Sequence, residues 1–187
     1  MLCIGVAAVL CAGPVAAQAE VSAEAAADTR PEVKAALPQA QLMGKTRLTV
    51  FGFQVYDARL WAAPGFGSVS YLNQPLALEL SYLRDFKALD IAERSIKEMR
   101  RSATISEAQE ARWLADMQRV VPDVKKGDRI LGIHKPGISA DFWVNGKPVG
   151  EIADAEFARL FFGIWLSPKT SEPQMRSRLL GSASTPG

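Results

Sequence analysis

The chain has 187 residues, 48% of them apolar, which suits one globular domain with a substantial core. Its 22 Lys and Arg against 20 Asp and Glu leave a formal charge of +2 with no basic stripe, so nucleic acid is not an expected partner. Both cysteines, Cys3 and Cys11, lie at the extreme N-terminus, so no thiol or disulfide chemistry is expected beyond it.

Residues 1–19 hold an apolar run ending in Ala17-Gln18-Ala19, the small-x-small pattern of a cleavage site, and read as a signal peptide for export to the periplasm or beyond. No Lys or Arg precedes the run, which points to a start codon upstream. Leu10, directly before Cys11, is bulkier than lipid-anchor patterns tolerate. Nothing later approaches the ~20 consecutive apolar residues of a membrane span, so none is expected. Residues 20–40, rich in Ala, Glu and Pro, lack hydrophobic periodicity and read as a disordered lead-in. The domain itself is expected over residues 41–181, with 182–187 a frayed tail.

From Leu42 to Trp61 the sequence is strand-like, broken at Gly52. A two-residue turn at Phe51-Gly52 pairs Val50 with Phe53, Thr49 with Gln54, Leu48 with Val55 and Arg47 with Tyr56. That register puts Leu48, Val50, Phe53 and Val55 on one face and Arg47, Thr49, Gln54 and Tyr56 on the other. If the strand instead runs straight through Gly52, Arg47 and Tyr56 point to opposite faces and form no joint site. Phe is a poor corner residue, so a longer turn or a bulge is the other alternative.

Leu76, Leu78, Leu80 and Tyr82 alternate with Ala77, Glu79 and Ser81 as a half-buried strand does. Leu89, Ala92, Ile96 and Met99 follow at helical spacing, with a charged, wet opposite side. Ser106 and Gln109 form a capping-box signature that opens a second helix through Trp113, Met117 and Val120, which Pro122 ends. Arg129–His134 and Ile138–Val144 read as paired strands around Lys135-Pro136-Gly137, and Asn145-Gly146 supplies a tight turn to a third. Asp154 is placed to cap a helix whose Phe157, Leu160, Phe161 and Ile164 must cover the sheet. Ser171 with Gln174, Pro173 in the first turn and Gly181 beyond mark a short closing helix.

No metal or nucleophile constellation stands out: one histidine, no cysteine past Cys11, no Gly-rich phosphate loop and no nucleophile elbow. No metal and no cofactor are expected. His134, at a strand end, reads as a hydrogen-bonded edge residue rather than an acid, a base or a haem ligand, and Trp113 and Trp165 read as core.

FGFQVYDARLW at residues 51–61 and LSPKTSEP following FFGIW at residues 161–165 resemble the bacterial branch of the chalcone isomerase-like family, over Gln41 to Gly181. The resemblance implies an α+β fold, an open-faced β-sandwich with helices packed on one face of a large antiparallel sheet and a ligand cleft between them. In that family an arginine on the front strands orients an anionic substrate, and fatty-acid-binding relatives hold a carboxylate with an arginine and a tyrosine. Arg47 and Tyr56 resemble that pair, with Thr49 and Gln54 beside them, and a guanidinium with a phenol suits a carboxylate. The catalytic tyrosine of true chalcone isomerases falls near Ile91, their asparagine near Glu98, and their late-helix hydroxyl near Asp154 or Ala155. Those departures point away from isomerase activity. The leading expectation is a non-catalytic, exported protein that binds an apolar carboxylic acid. The alternatives are an isomerase or lyase acting on a phenolic or enone substrate, and a ligand-free envelope assembly factor.

Overall fold

The structure is a computed structural model that describes residues 30–67 and 69–181. The expected leader (1–19) and tail (182–187) lie outside the described residues, as do residues 20–29 of the lead-in.

Six strands follow one another in space as they do in sequence, all antiparallel: β1 (Gln41–Val50), β2 (Phe53–Ala62), β3 (Leu76–Tyr82), β4 (Arg129–Lys135), β5 (Ser139–Val144) and β6 (Lys147–Ile152). A helical pair, α2 (Ala88–Met99) and α3 (Glu107–Val120), is inserted between β3 and β4, and α4 (Ala155–Leu166) and α5 (Pro173–Leu179) follow β6. These four helices cover one face of the open sheet. The capping signals act as expected: Ser106 and Gln109 form a reciprocal capping box, and Asp154 accepts from the Glu156 and Phe157 main-chain N–H groups. The expected closing helix forms as α5, but Ser171 and Gln174 do not cap it. Its N-cap is Glu172, whose N–H is accepted by Thr170 Oγ1.

The α4 stripe drives the packing. Phe157, Phe161 and Trp165 form a ladder of ring contacts at 5.4–5.5 Å, and Phe142 of β5 meets Phe161 at 5.4 Å. Phe162 fits over Gly132 of β4, where a Cβ would lie 3.1 Å from its ring. Each such aromatic contributes about 1.5–3 kcal/mol by leaving water, so α4 is the main anchor of the helical layer.

Two expectations are corrected. Residues 30–40, read as a disordered lead-in, contain the helix α1 (Pro31–Ala36), which lies on the other face of the sheet. Val33 is fully buried there among Trp61, Ala77, Leu131 and Ile133. Arg30 and Arg129 both bind Glu79, and Arg129 also pairs with Glu32. β3 is accordingly buried on both faces rather than half-buried, with Glu79 at 0% exposure.

The second correction concerns the β1–β2 hairpin. The two-residue turn forms, with Phe51 at φ 48° and Gly52 at φ 80°, and Val50 pairs with Phe53 and Thr49 with Gln54. A register shift then sets Leu48 opposite Tyr56 and Arg47 opposite Asp57, leaving Val55 as the extra residue of a bulge. The bulge is held by the Leu83 N–H, which donates to the Val55 carbonyl at 2.9 Å. It also brings Gly44 opposite Leu60 under α5, where a Cβ would fall 2.1 Å from the Arg178 carbonyl oxygen. The shifted register therefore satisfies an ion pair and a close helix approach that the regular one does not.

Candidate functional site

Between the β1–β4 end of the sheet and the helices lies an open cleft of about 470 Å³, within the range of small-molecule sites. Its floor is Leu48, Tyr56, Leu80, Tyr82 and Ile130; its roof is Ile91, Met117, Val121, Phe161 and Ile164. The hairpin tip, Val50, Phe51 and Phe53, forms one lip. These walls are apolar, and they attract apolar surface without directing it.

The polar groups in the cleft are few. Tyr56 Oη accepts the indole N–H of Trp165 at 3.0 Å, which leaves the phenolic proton free to donate. Burial pushes the Tyr56 phenol up to about 12, against the Trp165 hydrogen bond, which favours the phenolate. It therefore stays a protonated donor across the physiological range. Tyr82 meets Tyr56 edge to face at 6.1 Å, and burial raises its phenol as well. Arg94 and Glu98, one turn apart on α2, pair at 2.7 Å. Glu98 keeps its second carboxylate oxygen buried without a hydrogen bond, Arg101 Nε standing 3.9 Å away. Arg84 lies over the Phe53 ring at 4.8 Å and forms no ion pair among the described residues. Asp90 and Glu172 complete the charged rim.

The four residues picked from the sequence are split between the two faces. Tyr56 lines the cleft; Arg47, Thr49 and Gln54 do not. Arg47 gives Nε and Nη2 to the Asp57 carboxylate at 2.6 and 2.9 Å and Nη1 to Gln54 at 3.0 Å. The Arg47 guanidinium holds Asp57 below its usual range, and Asp57 raises Arg47 in return. The Val55 bulge is the cause, since it turns Tyr56 inward and leaves Arg47 on the outer face. The cations of the cleft, Arg84 and Arg94, were missed because one sits in a loop and the other on a helix side read as wet surface.

Ile91 and Glu98 both face the cleft. Asp154 does not: it caps α4 and accepts from Trp113 Nε1 at 2.9 Å and Arg112 at 2.7 Å. His134, read as an edge residue, is 1% exposed and stacks near Phe162 at a ring distance of 4.9 Å, with Nδ1 unpartnered. Among the described residues no three His, Cys, Asp or Glu side chains gather as a metal site would require, and no helix is long and apolar enough to cross a membrane.

Comparison with known proteins bears on the whole domain. An uncharacterized protein of Haemophilus influenzae is 28% identical over 141 residues, covering 75% of this chain and 68% of its own. The crystal structure of a fatty-acid binding protein of Arabidopsis thaliana superposes with a TM-score of 0.58 at 10% identity, covering 76% of this chain and 87% of that one. At that identity the likeness is one of fold. The family model described as chalcone isomerase-like matches residues 25–181, from before α1 to the end of α5, and the chain belongs to the chalcone isomerase-like family.

Proposed function

We propose that the protein binds an apolar carboxylic acid of the fatty-acid kind in this cleft and does no chemistry on it. The observation that carries the reading is the Tyr56 phenol: in a cleft walled mostly by apolar side chains and edged by charges of both signs, its oxygen is already satisfied by Trp165 and its proton is not. A carboxylate placed beside Tyr56 takes that proton as a hydrogen bond. Arg94 gives one N–H to Glu98 and keeps others to offer a carboxylate, its charge at the Tyr56 oxygen being opposed by those of Glu172 and Glu98. The shared fold with the Arabidopsis fatty-acid binding protein supports the same choice. Ile91 and Glu98 support the non-catalytic half: both face the cleft, and by the family resemblance they fall near the tyrosine and asparagine of chalcone isomerases. Isoleucine donates no proton, and a carboxylate lacks the amide N–H groups that an asparagine offers.

Mass spectrometry of small molecules extracted from purified protein tests this reading. A long-chain carboxylic acid at near-stoichiometric yield is expected. Turnover of a chalcone panel above background overturns it. The same proposal places the protein outside the cytoplasm, on the strength of the Ala17-Gln18-Ala19 site after an apolar run. N-terminal sequencing of the mature chain tests that, and an intact leader on cytoplasmic protein overturns it.

A further inference from the structure

The chain builds two tight hairpin turns of matching geometry. At β5–β6 the corner residues are Asn145 at φ 50° and Gly146 at φ 80°; at β1–β2 they are Phe51 at φ 48° and Gly52 at φ 80°. Asparagine tolerates a left-handed corner, whereas a bulky apolar residue there is strained. Phe51 is also 97% exposed, so packing does not explain it, and beside it Phe53 is 61% and Val50 38% exposed. A costly residue that the fold neither requires nor buries points to a role in binding rather than in packing.

We propose that this tip is a membrane-docking device that seats the mouth of the cleft on a lipid bilayer carrying anionic phospholipid. Three features choose the occupant. The patch is a narrow protrusion of three side chains, too small for the roughly 800 Å² that each partner of a stable protein interface contributes, yet suited to insertion among headgroups. Arg84 stands over Phe53 with no acid paired to it among the described residues, giving the aromatic-and-cation combination that suits an anionic lipid surface. Val50, Phe51 and Phe53 are also the lip of the cleft, so a chain leaving the acyl region reaches the apolar walls without crossing water. The inference rests on reading the cleft as a site for an apolar acid, and it is tested on ligand-free protein so that the two fail separately.

The test is sedimentation of the delipidated protein with vesicles of phosphatidylcholine and phosphatidylglycerol. The parent is expected to bind. Phe51→Asn, which relieves the corner, is expected to melt no lower than the parent while losing about ten- to a hundredfold in vesicle affinity, the partitioning of one aromatic side chain. Ile138→Asn removes an apolar side chain 66% exposed in the β4–β5 turn at the other end of the sheet, and is expected to bind as the parent does. A parent that stays in the supernatant overturns the proposal. So does a Phe51→Asn protein that binds undiminished, an equal loss in Ile138→Asn, or a parent whose tip instead drives a Phe51-dependent dimer.

Discussion

Trp165 and Tyr56, 109 positions apart, are joined by a 3.0 Å hydrogen bond that ties α4 to β2 at the cleft. Trp165 is 6% exposed, so Tyr56→Phe leaves its indole N–H without a partner in a nearly dry environment. The loss expected is about 1–3 kcal/mol of stability, read as a lower urea midpoint at unchanged slope. An unchanged midpoint shows that the bond is not maintained in solution.

Arg47, the obvious anion-binding residue by sequence, is expected to be irrelevant to ligand affinity. Its guanidinium is taken up by Asp57 and Gln54 on the outer face of the hairpin. Arg47→Ala should leave acid affinity as in the parent and move the melting temperature by less than about 3 °C, as exposed pairs do. Thermal melts and calorimetry check both, and a large loss of affinity returns Arg47 to the site.

The extent to which the sequence could be read follows from how local each determinant is. Asn145-Gly146, the Ser106–Gln109 box and the Asp154 cap are settled by a few neighbouring atoms, and each forms as read. The Val55 bulge is settled by the Leu83 N–H and by α5 lying on Gly44, contacts from distant segments, and the Arg47–Asp57 pair within the hairpin forms only in the register that they favour. One slipped residue was enough to separate Arg47 from Tyr56. Helix α1 was missed because it buries only Val33, too little for a period to appear. Its partners were visible: Ala77, Leu131 and Ile133 are apolar on strand faces opposite to the helical layer, a sign that the second face is covered too.

Glu79 holds that second face together. It is fully buried and bonded to Arg30, Arg59 and Arg129, at 3.0, 3.5 and 2.8 Å. Glu79→Ala removes the anion from three guanidinium groups and should cost about 3–5 kcal/mol. Hydrogen exchange should then show α1 released before the rest of the sheet. Equal protection of α1 in both proteins shows that Val33 alone holds it.

His134 makes stability fall in mild acid. Burial pushes its imidazole down from 6.5 to about 4, with a hydrogen bond to the Tyr71 main chain opposing. Above pH 6.5 the ring is neutral folded and unfolded and contributes nothing to pH dependence. Below it the unfolded chain takes up a proton that the folded chain refuses, so stability declines from about pH 6.5 until the folded ring also titrates near pH 4. At ~1.4 kcal/mol per unit the full loss is roughly 3 kcal/mol. His134→Gln should flatten the stability profile over that window; a slope that survives the substitution assigns it to other groups.

The central claim, that the cleft holds a carboxylic acid by its tail and selects it by its head, is tested most directly by calorimetric titration of dodecanoic acid and dodecanol into delipidated protein. Each buried CH₂ contributes about 0.8 kcal/mol and a hydrogen bond to a charged group about 1.5–3 kcal/mol, so the tail sets affinity and the polar groups set preference. The acid is expected to bind about ten- to a hundredfold more tightly than the alcohol, and Tyr56→Phe and Arg94→Ala are each expected to shrink this advantage. Equal binding of acid and alcohol by the parent, or no binding of either, contradicts the claim.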